Sequence, residues 1–342
     1  MCANSTSTVI FSHAMLIGLI CCKTSQGPLL FAPHMLPLIT RVKPKDKTHW
    51  LELRSRVIGA TEISALFGLS PYMTEFELWY AKKRQDLGEF EIGERGMWGS
   101  FLEPRIAAGL AHMNGWKVRK IHQYAYAAKE RLGASFDYEI VDGKKTRPLE
   151  IKNVAGHIFR DQWEETESGI TAPMHIELQL QHELLLAARS EATLGILVDG
   201  NTAKTTNRSA NKSVQEMILD MASRFWWSID NDKPPKPDFT RDASFIIDAM
   251  RDVKPGTVID LEDAPKAAEL GRAYLEAGAR ERLAAKEKEG LKAQLLMLIG
   301  EAERATHPEF SISAKLTPET KVEAFTKKSY RNFRVTAKKG ET

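Results

Sequence analysis

Residues 134–141 are Ala-Ser-Phe-Asp-Tyr-Glu-Ile-Val, and residues 149–154 are Leu-Glu-Ile-Lys-Asn-Val. Apolar and polar residues alternate in both segments, which predicts two short β-strands, and Asp142-Gly143-Lys144-Lys145 between them is a hairpin-type turn. Side chains two positions apart in a strand share a face, so Glu150 and Lys152 point the same way. If the strands pair, Asp137 can lie beside Glu150 on that face.

Two carboxylates and an ammonium group at one edge of a sheet suit a hard divalent cation with one bound water. The alternative is structural, because a Glu-x-Lys pair on a strand is commonly a solvated face. The sequence therefore predicts either a metal-dependent hydrolytic site at Asp137, Glu150 and Lys152 or an ordinary polar surface.

The composition is that of a soluble globular protein. The chain has 342 residues, 43% hydrophobic and 27% charged, which is enough for one large domain or one and a half. A net charge of +3 is too small to indicate nucleic-acid binding by itself. The three cysteines (Cys2, Cys21 and Cys22) give no disulfide framework and no cysteine-rich metal site, so a reducing cytoplasm is expected.

The first 48 residues differ from the rest of the chain. The apolar stretch from Val9 to Cys22 is too short to span a bilayer, and no basic residue precedes it. We expect a mobile tail, or an upstream extension with Met35 as the true start, in preference to a membrane anchor.

The segment after Trp50 holds a candidate phosphate site. Thr61 followed by Ile63 and Leu66 predicts a helix that has Thr61 near its N-cap and ends at Gly68. A helix N-terminus beside Arg54 would bind phosphate well. The simpler alternative is that Thr61 caps its own helix and Arg54 is solvated.

Residues 96–113 are predicted to be helical, and Glu103 lies at the margin of the apolar face. A carboxylate there is a candidate ligand or base, although an acid in a first turn also stabilises the helix dipole. The apolar residues recur at helical spacing: Trp98, Leu102, Ile106, Leu110 and Met113.

A further helix is predicted to begin at Pro173, and its apolar residues spread over most of its circumference, so it is buried on several sides. Gln179 on this helix then needs a polar partner. Residues 193–198 predict a buried strand. Helix, three strands, helix and strand indicate an α/β fold.

The C-terminal region is predicted to be a separate segment. Residues 261–304 indicate a long helix or a helical hairpin, with Gly290 and Gly300 as breaks. Residues 310–335 alternate like strands and become basic, which can follow a phosphate backbone or simply aid solubility. The predicted division is a tail (1–48), a core (49–240), a linker (241–260) and a helical and basic extension (261–342).

Taken together, the ordered motifs resemble the lambda-exonuclease, or YqaJ-type viral recombinase, branch of the PD-(D/E)XK nucleases. The resemblance runs from about Trp50 to Val198. Tyr138 stands where the family commonly has Gly, Thr61 stands where it commonly has Ser, and the hairpin is longer. The motifs are Trp50-x-x-Leu-Arg54 with Thr61-Glu62, Trp98-Gly-x-x-x-Glu103, Ser135-x-Asp137, Leu149-Glu150-Ile-Lys152 and Gln179-x-Gln181-x-x-Leu184.

The resemblance implies a restriction-endonuclease-like core with a central mixed β-sheet flanked by helices. It implies that Asp137, Glu150 and the carbonyl of Ile151 bind Mg²⁺ (Mn²⁺ being possible) and that Glu103 completes the site. Lys152 would then activate the attacking water, and Gln179 would hold the scissile region or that water. Arg54 and Thr61 would bind the 5′-terminal phosphate.

The function so implied is a Mg²⁺-dependent exonuclease that degrades the 5′ strand at double-strand DNA ends for phage-type recombination. A single-strand annealing protein as partner, a ring-shaped homo-oligomer (a trimer) and the cytoplasm of a bacterial host, with no membrane association, are also implied. Two alternatives are a structure-specific or restriction-like endonuclease on the same core and a non-enzymatic DNA-binding or scaffold protein.

Overall fold

The computed structural model describes residues 37–85, 93–167, 169–319, 331–333 and 335. It has two compact units, the first ending at Ser244 and the second beginning at Phe245, within the predicted 241–260 linker. Every predicted site residue lies in the first unit. No helix in the described ranges is both long and apolar enough to cross a membrane.

The first unit alternates between helices and strands, which are numbered in chain order together with those of the second unit. The helices are α1 (Lys47–Ser55), α2 (Ile63–Leu66), α3 (Glu75–Arg84), α4 (Glu94–Asn114), α5 (Gly156–Gln162), α6 (Met174–Ala187), α7 (Lys212–Asp230), α8 (Ala243–Ala249) and α9 (Pro265–Ile299). The strands are β1 (Ile39–Val42), β2 (Ile58–Gly59), β3 (Lys117–Lys120), β4 (Tyr124–Ala127), β5 (Leu132–Ala134), β6 (Tyr138–Asp142), β7 (Lys145–Val154), β8 (Glu164–Thr166), β9 (Gly169–Thr171), β10 (Glu191–Val198), β11 (Thr202–Ser209), β12 (Arg304–Thr306) and β13 (Ser311–Ser313).

A mixed β-sheet organises the first unit, with its described strands in the order β11-β10-β7-β6-β3. β7 and β10 pair in parallel, while the other neighbours are antiparallel. The parallel pair needs a crossover connection, which α5, β8, β9 and α6 supply. The predicted fold class, an α/β core with a central mixed sheet flanked by helices, is confirmed.

The predicted hairpin is present. β6 and β7 are antiparallel, with Tyr138 opposite Leu149 and Asp142 opposite Lys145, so Gly143 and Lys144 form a two-residue turn. Gly143 has φ of 57°, a left-handed conformation that such turns require and that glycine adopts without strain. This register places Asp137, just before β6, at the level of Glu150.

Helices cover both faces of the sheet, because its central strands alternate between two buried sides. Leu149 and Ile151 pack with Ile106 and Leu110 of α4. Packing there is so close that a Cβ at Gly195 would clash with Leu110 Cδ1. On the opposite face, apolar residues of α6 pack against β10, so Glu150 and Lys152, which share that face of β7, point toward α6.

A second sheet, in the order β1-β4-β5-β2, shows that the predicted tail boundary at residue 48 is wrong. β1 pairs with β4 from Ile39 to Val42, and α1 begins at Lys47 with Asp46 as its N-cap. Backbone pairing with a distant strand fixes residues that local composition could not assign. Residues 1–36 lie outside the described residues.

α6 is buried along its length, as predicted, and carries a buried ion pair near its start. Glu177 and Arg208 of β11 are each almost fully buried, and Arg208 Nη2 lies 2.7 Å from Glu177 Oε1. Glu177 also accepts a hydrogen bond from the backbone N–H of Ala172. Since an unpaired buried charge is strongly destabilising, this pair fixes the start of α6 against the sheet.

In the part of the second unit that the structure describes, the long helix α9 is followed by the β12–β13 hairpin. α9 runs through Gly290 and ends at Gly300, so the predicted long helix is confirmed, whereas the predicted break at Gly290 and the alternative of a helical hairpin are wrong. The predicted strands over residues 310–335 are largely wrong among the described residues, where only Ser311–Ser313 is extended and paired. Of the basic residues at this end, Arg331 is described and donates to the Met250 carbonyl, while the others lie outside the described residues: Lys327, Lys328, Arg334, Lys338 and Lys339.

The buried histidine of α6 makes the stability of the first unit depend on pH. His182 is fully buried, and burial lowers its pKa to about 4 from the 6.5 of an exposed histidine. Its Nε2 donates to the Gly133 carbonyl at 3.0 Å, whereas Nδ1 has no hydrogen-bond partner among the described residues. Between pH 6.5 and pH 4 the unfolded chain therefore binds a proton that the folded chain does not.

We expect the free energy of unfolding to fall as the pH is lowered through this window, by up to about 3 kcal/mol from this residue. The matched variant His182→Gln keeps a side-chain N–H for Gly133 but has no proton to bind. Urea unfolding of both proteins at several pH values measures the difference. Parallel pH profiles for the two proteins would contradict the assignment.

Candidate active site

Asp137 and the β7 strand meet across the hairpin, as the sequence predicted. The Asp137 carboxylate accepts a hydrogen bond from the backbone N–H of Ile151 at 2.9 Å. This contact continues the β6–β7 register by one step, because Asp137 directly precedes Tyr138 in β6. The Asp137 side chain therefore lies beside the strand position that carries Glu150.

Glu150, Lys152 and Gln179 form one hydrogen-bonded group. Lys152 Nζ and Gln179 Nε2 each lie 2.7 Å from the same oxygen, Oε1 of Glu150. Lys152 Nζ also donates to Oε1 of Gln179 at 3.1 Å. The amide of Gln179 thus meets both charges of the strand pair, which supplies the polar partner that its buried position requires.

Glu183 belongs to this group and was missed from the sequence. It lies four residues after Gln179 on α6, is buried, and accepts a hydrogen bond from Gln179 Nε2 at 2.8 Å. The i,i+4 spacing from Gln179 was a signal that could have found it, because such residues share one face of a helix. Glu183 fixes the rotamer of Gln179 from behind.

The group carries an excess of negative charge. Burial raises the pKa of Asp137, and the neighbouring Glu150 and Glu103 carboxylates raise it further. Burial and the Glu150 charge likewise raise the pKa of Glu183. Burial alone would lower the pKa of Lys152, but Glu150, to which it is hydrogen-bonded, and the other acids raise it above its usual value.

Glu103 approaches this group but is engaged elsewhere. It lies on α4 and forms an ion pair with Lys120 of β3, whose Nζ is 4.8 Å from the centre of the Tyr138 ring. Its charge still acts on Asp137. The apolar stripe predicted around it is only partly buried, because Trp98 and Met113 are exposed while Ile106 and Leu110 form the core contact.

The donor set fits a hard cation that keeps most of its water. Within the described ranges, no three His, Cys, Asp or Glu side chains are grouped as a metal site. Asp137 and Glu150 remain as two carboxylates close enough to interact electrostatically. Mg²⁺ is commonly held by one or two carboxylates and several waters, and the raised Asp137 pKa marks negative charge that a cation would neutralise.

A second polar cluster surrounds Arg54, the predicted phosphate-binding residue. Arg54 lies over the Trp50 ring, 4.6 Å from its centre, and its Nη2 is 4.0 Å from Glu62. Burial would raise the pKa of Glu62, but Lys82 and Arg54 lower it overall. Lys82, which the sequence did not single out, lies 2.8 Å from Glu62 and had no distinguishing signal in the basic run of residues 82–84.

The predicted cap at Thr61 is wrong. α2 has only four residues, its N-cap is Glu62, and that side chain makes no capping hydrogen bond. Thr61 is exposed, and Glu62 instead accepts from the Gly59 N–H at 2.7 Å. Gly68, with φ of 66°, follows the turn as predicted. Because the Glu62 side chain binds the backbone of Gly59, it is not available to cap the first turn of α2.

The two clusters are connected through β5. β2 pairs in parallel with β5, which places Ile58 and Gly59 beside residues 132–133. Trp50 Nε1 also donates to Ser135 Oγ at 3.0 Å, two residues before Asp137. The segment that carries Arg54 is therefore tied to the strand that leads into the acidic site.

Residues 49–190 match the family of the YqaJ-like viral recombinase domain. The uncharacterized protein YqaJ of Bacillus subtilis (strain 168) is 28% identical over 191 residues, which are 55% of this chain and 56% of that relative. The chain thus spans little more than half the length of this curated relative.

Solved structures with partial likeness include an alkaline exonuclease (LHK-Exo) from Laribacter hongkongensis, at 16% identity and a TM-score of 0.40 over 58% of this chain and 98% of that one. The same enzyme in complex with dAMP is 15% identical, with a TM-score of 0.41, and the match again covers 58% of this chain and 98% of that one. The structure of SSO0001 is 14% identical, with a TM-score of 0.31, and the match covers 62% of this chain and 98% of that one. Residues 49–190, which hold all the predicted site residues, are thus similar to the YqaJ-like viral recombinase domain.

Proposed function

We propose that this chain is a Mg²⁺-dependent DNA exonuclease that acts at double-strand ends, degrading the 5′ strand to leave a 3′ overhang for phage-type recombination. The observation that carries the proposal is the Glu150–Lys152–Gln179 group with Asp137 beside it. The match of residues 49–190 to the YqaJ-like viral recombinase domain supports it. A single-strand annealing partner, a homo-oligomer and a place in the cytoplasm of a bacterial host belong to the same proposal.

The side chains have distinct tasks in phosphodiester hydrolysis. Asp137, Glu150 and the Ile151 carbonyl would hold the cation, and Glu103 joins them if it leaves Lys120. When bound, Mg²⁺ supplies charge neutralisation on the phosphate oxygens and lowers the pKa of water. The Lys152 ammonium, fixed by Glu150 and Gln179, places a positive charge where it favours the deprotonated form of an attacking water.

Removing either charged member of the strand pair tests the site. Glu150→Ala and Lys152→Ala are each expected to lower cleavage of end-labelled duplex DNA in Mg²⁺ by at least about a hundredfold, the range of lost acid–base and electrostatic catalysis. The matched control is Glu139→Ala. Glu139 is an acid of the neighbouring strand β6, and its carboxylate forms an ion pair with Arg119. Retained activity in both site variants would reject this site.

Glu183 acts as a positioning residue for Gln179. Replacing it distinguishes the effect of its hydrogen bond to Gln179 from the effect of its negative charge. Glu183→Gln keeps an oxygen that accepts from Gln179 Nε2, so cation affinity and kcat should change little. Glu183→Leu frees Gln179 and should lower both by about ten- to a hundredfold, as loss of a supporting hydrogen bond does at metal sites. Calorimetric titration with Mn²⁺ and single-turnover cleavage measure the two effects. Equal behaviour of the two variants would contradict a positioning role.

The Arg54 cluster predicts a preference for ends that carry phosphate. Linear duplexes with 5′-phosphate should be degraded faster than those with 5′-hydroxyl, and Arg54→Ala should remove this difference because the guanidinium supplies the anion contact. Gel analysis of duplexes labelled on one strand shows which strand shortens. Cleavage of covalently closed circular DNA, with indifference to Arg54→Ala, would instead indicate a structure-specific or restriction-like endonuclease.

A further inference from the structure

Along one side, the long helix of the second unit packs against no other described part of the chain. α9 spans Pro265–Ile299, and in the described part of the chain none of its residues is buried. Its large apolar residues are 38–82% exposed at Leu270, Leu291, Leu295 and Leu298. A helix of this length in water normally buries one apolar stripe, so this side is suited to a partner.

One set of the exposed apolar positions follows a seven-residue repeat. Leu270, Ala277, Ala284, Leu291 and Leu298 are spaced by seven, as the d positions of a coiled coil are. The corresponding a positions are Ala267, Tyr274, Glu281, Lys288 and Leu295. Tyr274 touches the edge of the Phe333 ring at a centroid distance of 5.5 Å, but half of its surface stays exposed.

The polar a positions select the orientation of the partner. In a parallel pair of identical helices, Glu281 would face a second Glu281, and Lys288 a second Lys288, which is destabilising. In an antiparallel pair centred between Arg282 and Leu283, each of these charges lies beside an alanine, Glu281 beside Ala284 and Lys288 beside Ala277. The centre of this register coincides with the middle of α9, so the two helices would overlap along their whole length.

The same antiparallel register matches four of the five large apolar seam residues with one another, leaves Leu298 opposite Ala267, and places opposite charges beside each other. Leu295 lies at the level of Leu270, and Leu291 at the level of Tyr274, in both halves of the pair. Beside the seam, Arg280 lies near Glu287 of the second helix. Because the pair is symmetric, this contact occurs twice. Flanking pairs of opposite charge set the partner and the orientation of coiled coils.

We propose that α9 binds α9 of a second copy of this chain as an antiparallel two-stranded coiled coil, making the second unit a dimerisation element. The proposal does not depend on the nuclease activity. It rests on the exposed seam and on the self-complementarity of its register.

The test is the mass of the full-length chain, 38.4 kDa per copy, measured by light scattering at equal concentrations. The wild-type protein is expected to form particles of twice the mass of the seam variant Leu291→Ser/Leu295→Ser. The matched control, Leu283→Ser/Leu296→Ser, removes two exposed leucines of α9 that lie off the seam and should keep the wild-type mass. Equal masses for wild type and seam variant, or loss of association in the control, would overturn the proposal.

Charge exchange tests the orientation. Arg280→Glu and Glu287→Arg should each weaken association by about tenfold or less, the range of a few flanking ion pairs, and the double variant should restore it. In a parallel pair Arg280 would face Ala285, and Arg280→Glu alone would have no effect. Failure of the double variant to recover, while circular dichroism shows α9 intact, would overturn the antiparallel register.

Discussion

The hydrogen bonds at Oε1 of Glu150 are the constraint on which the acidic site depends. Glu150 is 5% exposed, and a carboxylate this deep must be compensated or it destabilises the fold by several kcal/mol. Lys152 provides the opposite charge from the same strand, two residues away, and Gln179 provides a neutral donor from α6. Since one partner comes from the strand and one from the helix, the site forms only when α6 lies against β7.

This requirement explains why α6 is held so firmly. Its start is fixed by the buried pair of Glu177 and Arg208, and its middle by His182, whose ring donates to the backbone of β5. Gln179 lies between these contacts and Glu183 directly follows the second, both on the face toward β7. The charged residues that are costly to bury thus position the helix, while leucines on its other faces supply most of the stabilisation through apolar burial.

The two polar clusters of the first unit share a structural link. The segment with Arg54 and Glu62 is joined to β5 through the β2–β5 pairing and through the Trp50–Ser135 hydrogen bond, and β5 leads directly to Asp137. A ligand held at Arg54 would therefore be placed relative to the acidic site by strands instead of by mobile loops. Rigid elements keep the distance between two binding points constant, which favours a defined substrate register.

Local patterns in the sequence determined the β6–β7 hairpin, the shared face of Glu150 and Lys152, the buried character of α6 and the need of Gln179 for a partner. These follow from strand and helix periodicity and from the cost of burying an unpaired amide, all of which act over a few residues. Tertiary structure alone decided that Glu103 pairs with Lys120, that Lys82 joins Glu62 and that residues 39–42 form a strand. Those contacts join elements that are distant or only loosely connected in sequence. Local periodicity does not encode which charged side chain or strand edge will be the partner in the folded chain.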